Sequence, residues 1–171
     1  MEKPPKEKHA TGGDGTVHGA NGASGTQHPS GTANEHAERQ PAMGSETIFL
    51  AEDEESVREM LRYALEEFGY QVIAASDGQD AIEIGTARAR DIDLAILDVV
   101  MPQKSGKEVY DAVRAVRPDI PVLFISGYAG DVLFKKGISG EGVQIMIKPL
   151  SPYELLRRVR EMLDRKNGSP A

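Results

Sequence analysis

The sequence has no cysteine and no tryptophan, and its aromatic side chains besides histidine are five tyrosines and four phenylalanines. Without cysteine the chain cannot form disulfides, zinc–thiolate sites or thiol nucleophiles, and this composition fits a reducing compartment. No apolar run approaches the roughly 20 residues that a membrane-spanning helix needs. The N-terminus also lacks the apolar segment of a secretory signal. We therefore predict a cytoplasmic protein that makes no membrane contact.

An excess of positive charge is missing as well. The chain has 20 lysines and arginines against 27 aspartates and glutamates, which gives a formal net charge of −7. Nucleic-acid binding needs clustered lysine and arginine to neutralise phosphates, so we predict no nucleic-acid partner. Hydrophobic residues make up 39% and charged residues 27%, as in soluble globular proteins. A length of 171 residues allows one ordinary domain with an appendage.

Residues 1–45 have almost no side chains that could build a core. They contain no phenylalanine, tyrosine or tryptophan, and Val17 is their only valine, isoleucine or leucine. So little apolar area cannot offset an ordering cost of roughly 1–2 kcal/mol per residue, so we predict a disordered tail or linker. All four histidines lie there, but their spacing in a glycine-rich chain is not that of metal ligands. The predicted folded domain is 46–166, followed by a short flexible tail at 167–171.

The folded part alternates two hydrophobic periods. Short apolar runs predict buried strands at 48–51, 71–75, 94–97, 121–125 and 143–147. Helical periodicity predicts helices at 57–68, 109–116 and from 152 to about 165, with weaker candidates at 79–88 and 131–136. The last helix begins after Ser151-Pro152, a typical N-cap and first helical position. Alternating strands and helices predict an α/β fold, a doubly wound five-stranded parallel sheet with helices on both faces.

Polar residues that could take part in catalysis or binding follow four of these strands. Glu52 and Asp53 follow the first strand, and Asp98, Ser126 and Lys148 come at the ends of the third, fourth and fifth. Each alone has an ordinary explanation, as a helix N-terminal charge, a turn residue or a surface lysine. Functional groups of such sheets gather beyond the carboxyl ends of the strands, near the switch in strand order. The sequence therefore predicts one site that contains all five side chains.

Three carboxylates at one site create an electrostatic problem. Two of them about 4 Å apart repel by roughly 4 kcal/mol at an effective dielectric constant near 20, and Lys148 neutralises one charge only. A hard divalent cation resolves the repulsion, and oxygen ligands suit Mg²⁺ better than a transition metal. A metal, a lysine and a hydroxyl around a strand-end carboxylate are also what phosphoryl transfer onto Asp98 requires.

Together these motifs resemble the receiver domain of bacterial response regulators, over about residues 46–164. The resemblance rests on IFLAED at 48–53, on Asp98 with Met101-Pro102 and Gly106, on Ser126-Gly127 and on Lys148-Pro149. Each motif is weak alone, and their ordered combination is specific. The later part of the chain looks most like receivers fused to hybrid sensor histidine kinases.

The resemblance implies a role for each site residue. The strand order would be 2-1-3-4-5, as in flavodoxin-like folds, and the Lys148-Pro149 peptide would be cis. Asp98 would be the phosphoacceptor, and Ser126 and Lys148 would bind phosphoryl oxygens. The implied ligands of Mg²⁺ are Glu52, Asp53, Asp98 and the backbone carbonyl of Val100.

Two departures from the family pattern concern the acid pair and the switch. The acid pair is Glu-Asp, where Asp-Asp is commonest. The family usually has tyrosine or phenylalanine three residues before the lysine, and here Ile145 stands there. The usual switch pairs the hydroxyl residue, here Ser126, with that ring, which turns inward. We therefore expect a smaller or differently routed shift on phosphorylation, with the glycine-rich segment 127–142 as the moving element.

The predicted function is that of a two-component phosphorelay receiver. Its partner would be a sensor histidine kinase or a histidine phosphotransfer protein, and no output domain is recognisable in the sequence. We expect a stand-alone monomer or weak dimer that turns over no external substrate. One alternative is a degenerate receiver that serves only as a protein-interaction module. Another is a Mg²⁺-dependent phosphohydrolase of the haloacid-dehalogenase type, which Val100 disfavours because such enzymes carry an acid there.

Overall fold

The computed structural model of the chain describes residues 42–127, 142–166 and 168. Its strands are β1 (Thr47–Ala51), β2 (Gln71–Ala75), β3 (Leu94–Asp98), β4 (Val122–Ser126) and β5 (Val143–Ile147). Its helices are α1 (Glu55–Glu67), α2 (Gly78–Ala87), α3 (Gly106–Val116) and α4 (Pro152–Lys166). The predicted tail at 1–45, apart from 42–45, and the weak helix candidate at 131–136 lie outside the described residues.

The five strands form one parallel sheet in the order β2-β1-β3-β4-β5. This confirms the predicted doubly wound α/β architecture. Every residue of β3 and β4 is buried, because both faces of these inner strands are covered. Their continuous apolar sequences, LAIL and VLFI, reflect this burial. No helix in the described ranges is both long and apolar enough to cross a bilayer.

Two hydrophobic clusters lie on the opposite faces of the sheet. Successive strand side chains point to opposite faces, so Phe49 belongs to the cluster with α2 and α3, and Leu50 to the cluster with α1 and α4. Leu61 of α1 and Val159 of α4 are fully buried in the second cluster. Burying one such side chain contributes roughly 1.5–3 kcal/mol. The apolar residues that recur at helical spacing in the sequence therefore hold the helices against the sheet.

Local capping sets where the helices begin. The Ser105 hydroxyl accepts from the Glu108 amide and the Glu108 carboxylate accepts from the Ser105 amide, a capping box that starts α3. Asp77 caps α2 by accepting from the amides of residues 79 and 80. Ser151 accepts from the Glu154 amide at 3.4 Å, in line with its predicted capping role. These caps fix the loops that lead into α2, α3 and α4.

The strand bounds differ from the predicted ones by one residue at four strand ends. β1 begins at Thr47, β3 extends to Asp98, and β4 runs from Val122 to Ser126. Asp98 and Ser126 are therefore the last paired residues of their strands. This placement puts both side chains at the carboxyl edge of the sheet.

Candidate functional site

The acidic side chains converge at the carboxyl edge of β1 and β3. The two strands pair in parallel with Ala51 opposite Leu97, so Glu52 and Asp98 follow at the same level of the sheet. Carboxylate oxygens of Glu52, Asp53 and Asp98 all lie within 4.8 Å of one another. The structure thus brings the adjacent acids Glu52 and Asp53 together with Asp98, which lies 45 residues after Asp53 in the sequence.

Lys148 enters this cluster from the end of β5. Its Nζ lies 2.5 Å from Asp98 Oδ2 and 3.0 Å from Glu52 Oε2, and it donates to Glu52 Oε1 at 3.2 Å. The Lys148 amide also donates to the Ser126 carbonyl at 2.8 Å, which ties the ends of β4 and β5 together. The Lys148-Pro149 peptide is cis, as the family resemblance implied. One ammonium group therefore bridges two of the three acids.

Burial makes this charge cluster costly. Glu52 is fully buried and Asp98 is 5% exposed, whereas Asp53 is exposed. Burial raises the pKa of Glu52 above its usual value, and the hydrogen bond from Lys148 offsets only part of that effect. Burial disfavours the charged form of Lys148, but its bonds to Asp98 and Glu52 outweigh this and raise its pKa. One cation does not balance three carboxyl groups.

The donor set fits a hard divalent cation. Glu52 Oε2 is buried and accepts no hydrogen bond from the described residues; its neighbour there is the Lys148 ammonium, an ion-pair contact at 3.0 Å. It therefore keeps lone pairs for another partner. Three carboxylates within 4.8 Å are an oxygen-only donor set of the kind Mg²⁺ prefers. The residues present thus suit the predicted metal.

Asp98 is held in place by its neighbours. Its Oδ1 accepts from the Val100 amide at 2.9 Å and its Oδ2 accepts from Lys148. Val100 is half-exposed and follows β3 by two residues, so it borders the site. A Cβ on Gly106 would lie 2.1 Å from the Asp98 carbonyl oxygen. The start of α3 therefore packs directly on the backbone of Asp98, and only glycine fits there.

Ser126 and Ile145 lie on the adjacent strands β4 and β5. Ser126 is fully buried and pairs with Ile147, and Ile145 pairs with Phe124. Ile145 is partly buried and packs against the cluster that contains Phe124 and Tyr110. The rings of Phe124 and Tyr110 lie 5.5 Å apart at an interplanar angle of 56°. Aromatic packing thus occurs beside Ile145, although residue 145 itself supplies no ring.

Sequence reasoning missed Arg58. Its Nη1 donates to the carbonyl oxygens of Glu52 at 2.8 Å and Asp53 at 3.2 Å, directly behind the acid pair. A cation near the start of a helix is disfavoured by the helix dipole. That unfavourable placement is the one sequence signal that could have drawn attention to it.

Comparison with known proteins agrees with this geometry. The profile of the "Response regulator receiver domain" family matches residues 48–160. The chain is 36% identical over 124 residues to "Sensor kinase CckA" of Brucella abortus (strain 2308), covering 72% of this chain and 13% of the relative. It is 38% identical over 120 residues to the alkaline phosphatase synthesis transcriptional regulatory protein PhoP of Bacillus subtilis (strain 168), covering 69% and 48%.

Solved structures show the same architecture. The receiver domain of the hybrid histidine kinase CckA aligns with a TM-score of 0.60 and 35% identity, over 68% of this chain and 98% of that one. A response regulator receiver protein from Sinorhizobium medicae aligns with a TM-score of 0.65 and 29% identity, over 71% and 97%. The chain spans about half of PhoP and a small part of CckA. Its profile match, its relatives and its strand order place the protein in the response regulator receiver domain family.

Proposed function

We propose that this protein is a phosphoacceptor of a two-component phosphorelay and that Asp98 receives the phosphoryl group. The observation that carries the proposal is the convergence of three carboxylates within 4.8 Å, with the Lys148 ammonium 2.5 Å from Asp98. The donor would be a phosphohistidine on a sensor histidine kinase or a histidine phosphotransfer protein. The naming of one relative as a sensor kinase and another as a transcriptional regulatory protein supports a signalling setting, which we place in the cytoplasm as part of the proposal.

The transfer is a single displacement at phosphorus. A carboxylate oxygen of Asp98 forms a bond to phosphorus while the bond from phosphorus to the donor imidazole nitrogen breaks, and that nitrogen keeps the electron pair. Lys148 pairs with one phosphoryl oxygen and Ser126 donates to another. Such electrostatic positioning supplies most of the catalysis in phosphoryl transfer.

Glu52, Asp53, Asp98 and the Val100 carbonyl would hold Mg²⁺, which supplies positive charge to the phosphoryl oxygens when bound. Burial of Glu52 keeps its carboxylate fixed, and the exposed Asp53 leaves one side of the site open to the donor. Val100 has no carboxyl group that could activate water next to Asp98. The aspartyl phosphate therefore persists as a signal, and no external substrate is turned over.

A test of this function compares the wild type with Asp98→Asn. Each is incubated with Mg²⁺ and a small phosphodonor, and both intact mass and released phosphate are recorded. We expect one phosphoryl adduct on the wild type, which is stable in acid and lost in base, and none on Asp98→Asn. Steady release of phosphate over many turnovers would indicate a phosphohydrolase instead. Absence of any adduct would indicate a degenerate receiver that acts only through protein contacts.

The signal would be a conformational shift that Ile145 makes smaller or differently routed. One charge-assisted hydrogen bond from Ser126 stabilises the phosphorylated conformation by roughly 1.5–3 kcal/mol. Moving a two-state equilibrium from 1:99 to 99:1 needs about 5.5 kcal/mol of such stabilisation. The proposed moving segment is 127–142, of which 128–141 lie outside the described residues. The packing of Ile145 beside Phe124 and Tyr110 supports a route through β4.

Amide hydrogen exchange with and without a stable phosphoryl mimic tests this shift. In the wild type we expect the mimic to alter amide protection in segment 127–142 and to change it less in β5. In Asp98→Asn we expect the mimic to change protection in neither. Equal protection across 127–147 in the two states would overturn the proposed moving element.

A further inference from the structure

One residue of α1 bonds to every backbone carbonyl of the loop that carries the acid pair. This loop, residues 52–54, joins β1 to α1. The Arg58 guanidinium donates to the carbonyls of Glu52 at 2.8 Å and Asp53 at 3.2 Å, both from Nη1. The Arg58 backbone amide donates to the carbonyl of Glu54 at 2.9 Å. The last of these is the regular hydrogen bond of the first helical turn, so the Arg58 side chain itself holds two consecutive carbonyls, those of Glu52 and Asp53.

The other polar contacts of the loop are weaker or more local. The Glu52 amide donates to the Ala75 carbonyl at 3.3 Å, and the Glu54 amide donates to Glu52 Oε1 at 3.3 Å. The Glu54 side chain makes no cap bond to α1. The Ser56 hydroxyl of α1 donates to Glu54 Oε1 at 2.8 Å, but this bond holds a side chain. The Arg58 guanidinium is the group of α1 that binds the backbone carbonyls of Glu52 and Asp53.

We propose that Arg58 is a positioning residue for the cation site, an inference that rests on the proposed Mg²⁺ binding by Glu52 and Asp53. A peptide unit is planar, so holding the carbonyls of Glu52 and Asp53 fixes both peptide planes that flank the Asp53 Cα, and with them the direction of its Cα–Cβ bond. The Glu52 Cα lies in the first of these planes. With their carbonyls held towards Arg58, Glu52 and Asp53 present their carboxylates, and not their backbone oxygens, to Asp98. Outer partners that orient metal ligands typically change metal affinity by roughly 10- to 100-fold when removed.

Arg58 is also a positive charge close to three acids, and this second effect has the opposite sign. If only its charge mattered, removing it would reduce repulsion of a bound cation and tighten Mg²⁺ binding. If Arg58 positions the loop, removing it loosens the carboxylates and weakens Mg²⁺ binding. The direction of the change therefore separates positioning from simple charge.

The test is a calorimetric titration with Mg²⁺ of the wild type, Arg58→Met, Arg58→Lys and Arg62→Met. Methionine keeps an apolar stem and removes the donors. Arg62 is the matched control, because it lies one turn later on α1 and its ion pairs with described residues are those with the exposed Glu59 and Glu66. We expect Arg58→Met to raise the Kd for Mg²⁺ about tenfold, Arg58→Lys to raise it less, and Arg62→Met to leave it within about twofold.

Salt and folding controls complete the design. At about 0.5 M KCl a charge effect is screened, whereas the loss through positioning persists. Circular dichroism and thermal unfolding report whether each variant is folded. If Arg58→Met does not fold, Arg58→Lys decides, because it keeps the charge and loses the forked guanidinium that reaches the loop.

An unchanged or lowered Kd in the Arg58 variants would overturn the inference and leave the proposed function standing. An equal rise in Arg62→Met would also overturn it, because the effect would then belong to any arginine of α1. A wild type that binds no Mg²⁺ would overturn the proposed cation site itself. The two failures are therefore distinguishable in one experiment.

Discussion

Lys148→Met should slow phosphorylation of Asp98 by roughly a hundredfold at saturating Mg²⁺. Lys148 Nζ lies 2.5 Å from Asp98 Oδ2, so it is already placed to meet a phosphoryl oxygen there. Removing one preorganised donor from a charge-stabilising site typically costs about 10²–10³ in rate. The rate of adduct formation from a small phosphodonor, followed by intact mass, measures this effect.

The same substitution should also make stability depend more strongly on Mg²⁺. Glu52 and Asp98 are buried, and without Lys148 they lose their one neighbouring ammonium group among the described residues. We expect a loss of about 2 kcal/mol in unfolding free energy without Mg²⁺ and a smaller loss with it, because bound cation replaces the missing charge. Urea denaturation with and without Mg²⁺ measures both values.

Lys107→Met is the matched control for Lys148→Met. The two lysine side chains are equally exposed, at 27%, and each makes an ion pair at 2.5 Å, Lys107 with Asp111 on the surface of α3. Losing an exposed pair costs roughly 0.3–0.5 kcal/mol and should not change the phosphorylation rate. Similar rates for Lys148→Met and the wild type would contradict the role assigned to Lys148.

Gly106→Ala should damage both the fold and the site. The added Cβ would lie 2.1 Å from the Asp98 carbonyl oxygen and 2.9 Å from the Asp98 carbonyl carbon, so the backbone has to move. Forced overpacking of this kind costs about 2 kcal/mol or more. Displacing Asp98 by even about 1 Å can slow the reaction up to roughly a hundredfold. The unfolding free energy, measured by urea denaturation, and the rate of adduct formation should therefore both fall.

Gly127→Ala is the control for Gly106→Ala. Gly127 directly follows Ser126, and a Cβ there would meet no atom of the described residues within 4 Å. We expect its stability to stay within about 0.5 kcal/mol of the wild type, with an unchanged adduct rate. If Gly106→Ala behaved like Gly127→Ala, the close packing of α3 on Asp98 would not matter for the site.

Much of the fold was predictable because the inner strands are buried on both faces. Short continuous apolar runs such as LAIL and VLFI are typical of such strands, and their alternation with helical patterns implied parallel crossovers. Asp98 was predictable for the same reason, since an acid that ends a buried strand lies at the carboxyl edge of the sheet. The register of β1 against β3 then brings Glu52 level with it.

Contacts that depend on exact distances were not predictable. Arg58 reaches the acid loop only because α1 begins at Glu55, and no periodicity shows which carbonyls its guanidinium meets. Gly106 was recognised as part of a motif. That an added Cβ there would lie 2.1 Å from the Asp98 carbonyl oxygen follows only from the packed structure. The packing of Tyr110 on Phe124 beside Ile145 likewise comes from tertiary contact between α3 and β4.

The most direct measurement locates the phosphoryl group on the chain. After reaction with a phosphodonor and Mg²⁺, borohydride reduces an aspartyl phosphate to homoserine, and peptide mass spectrometry finds the position of that residue. The proposed function predicts homoserine at position 98 and at no other position, with none formed when Mg²⁺ is omitted. Reduction at another acid, or a phosphoryl adduct that leaves position 98 unreduced, would contradict it.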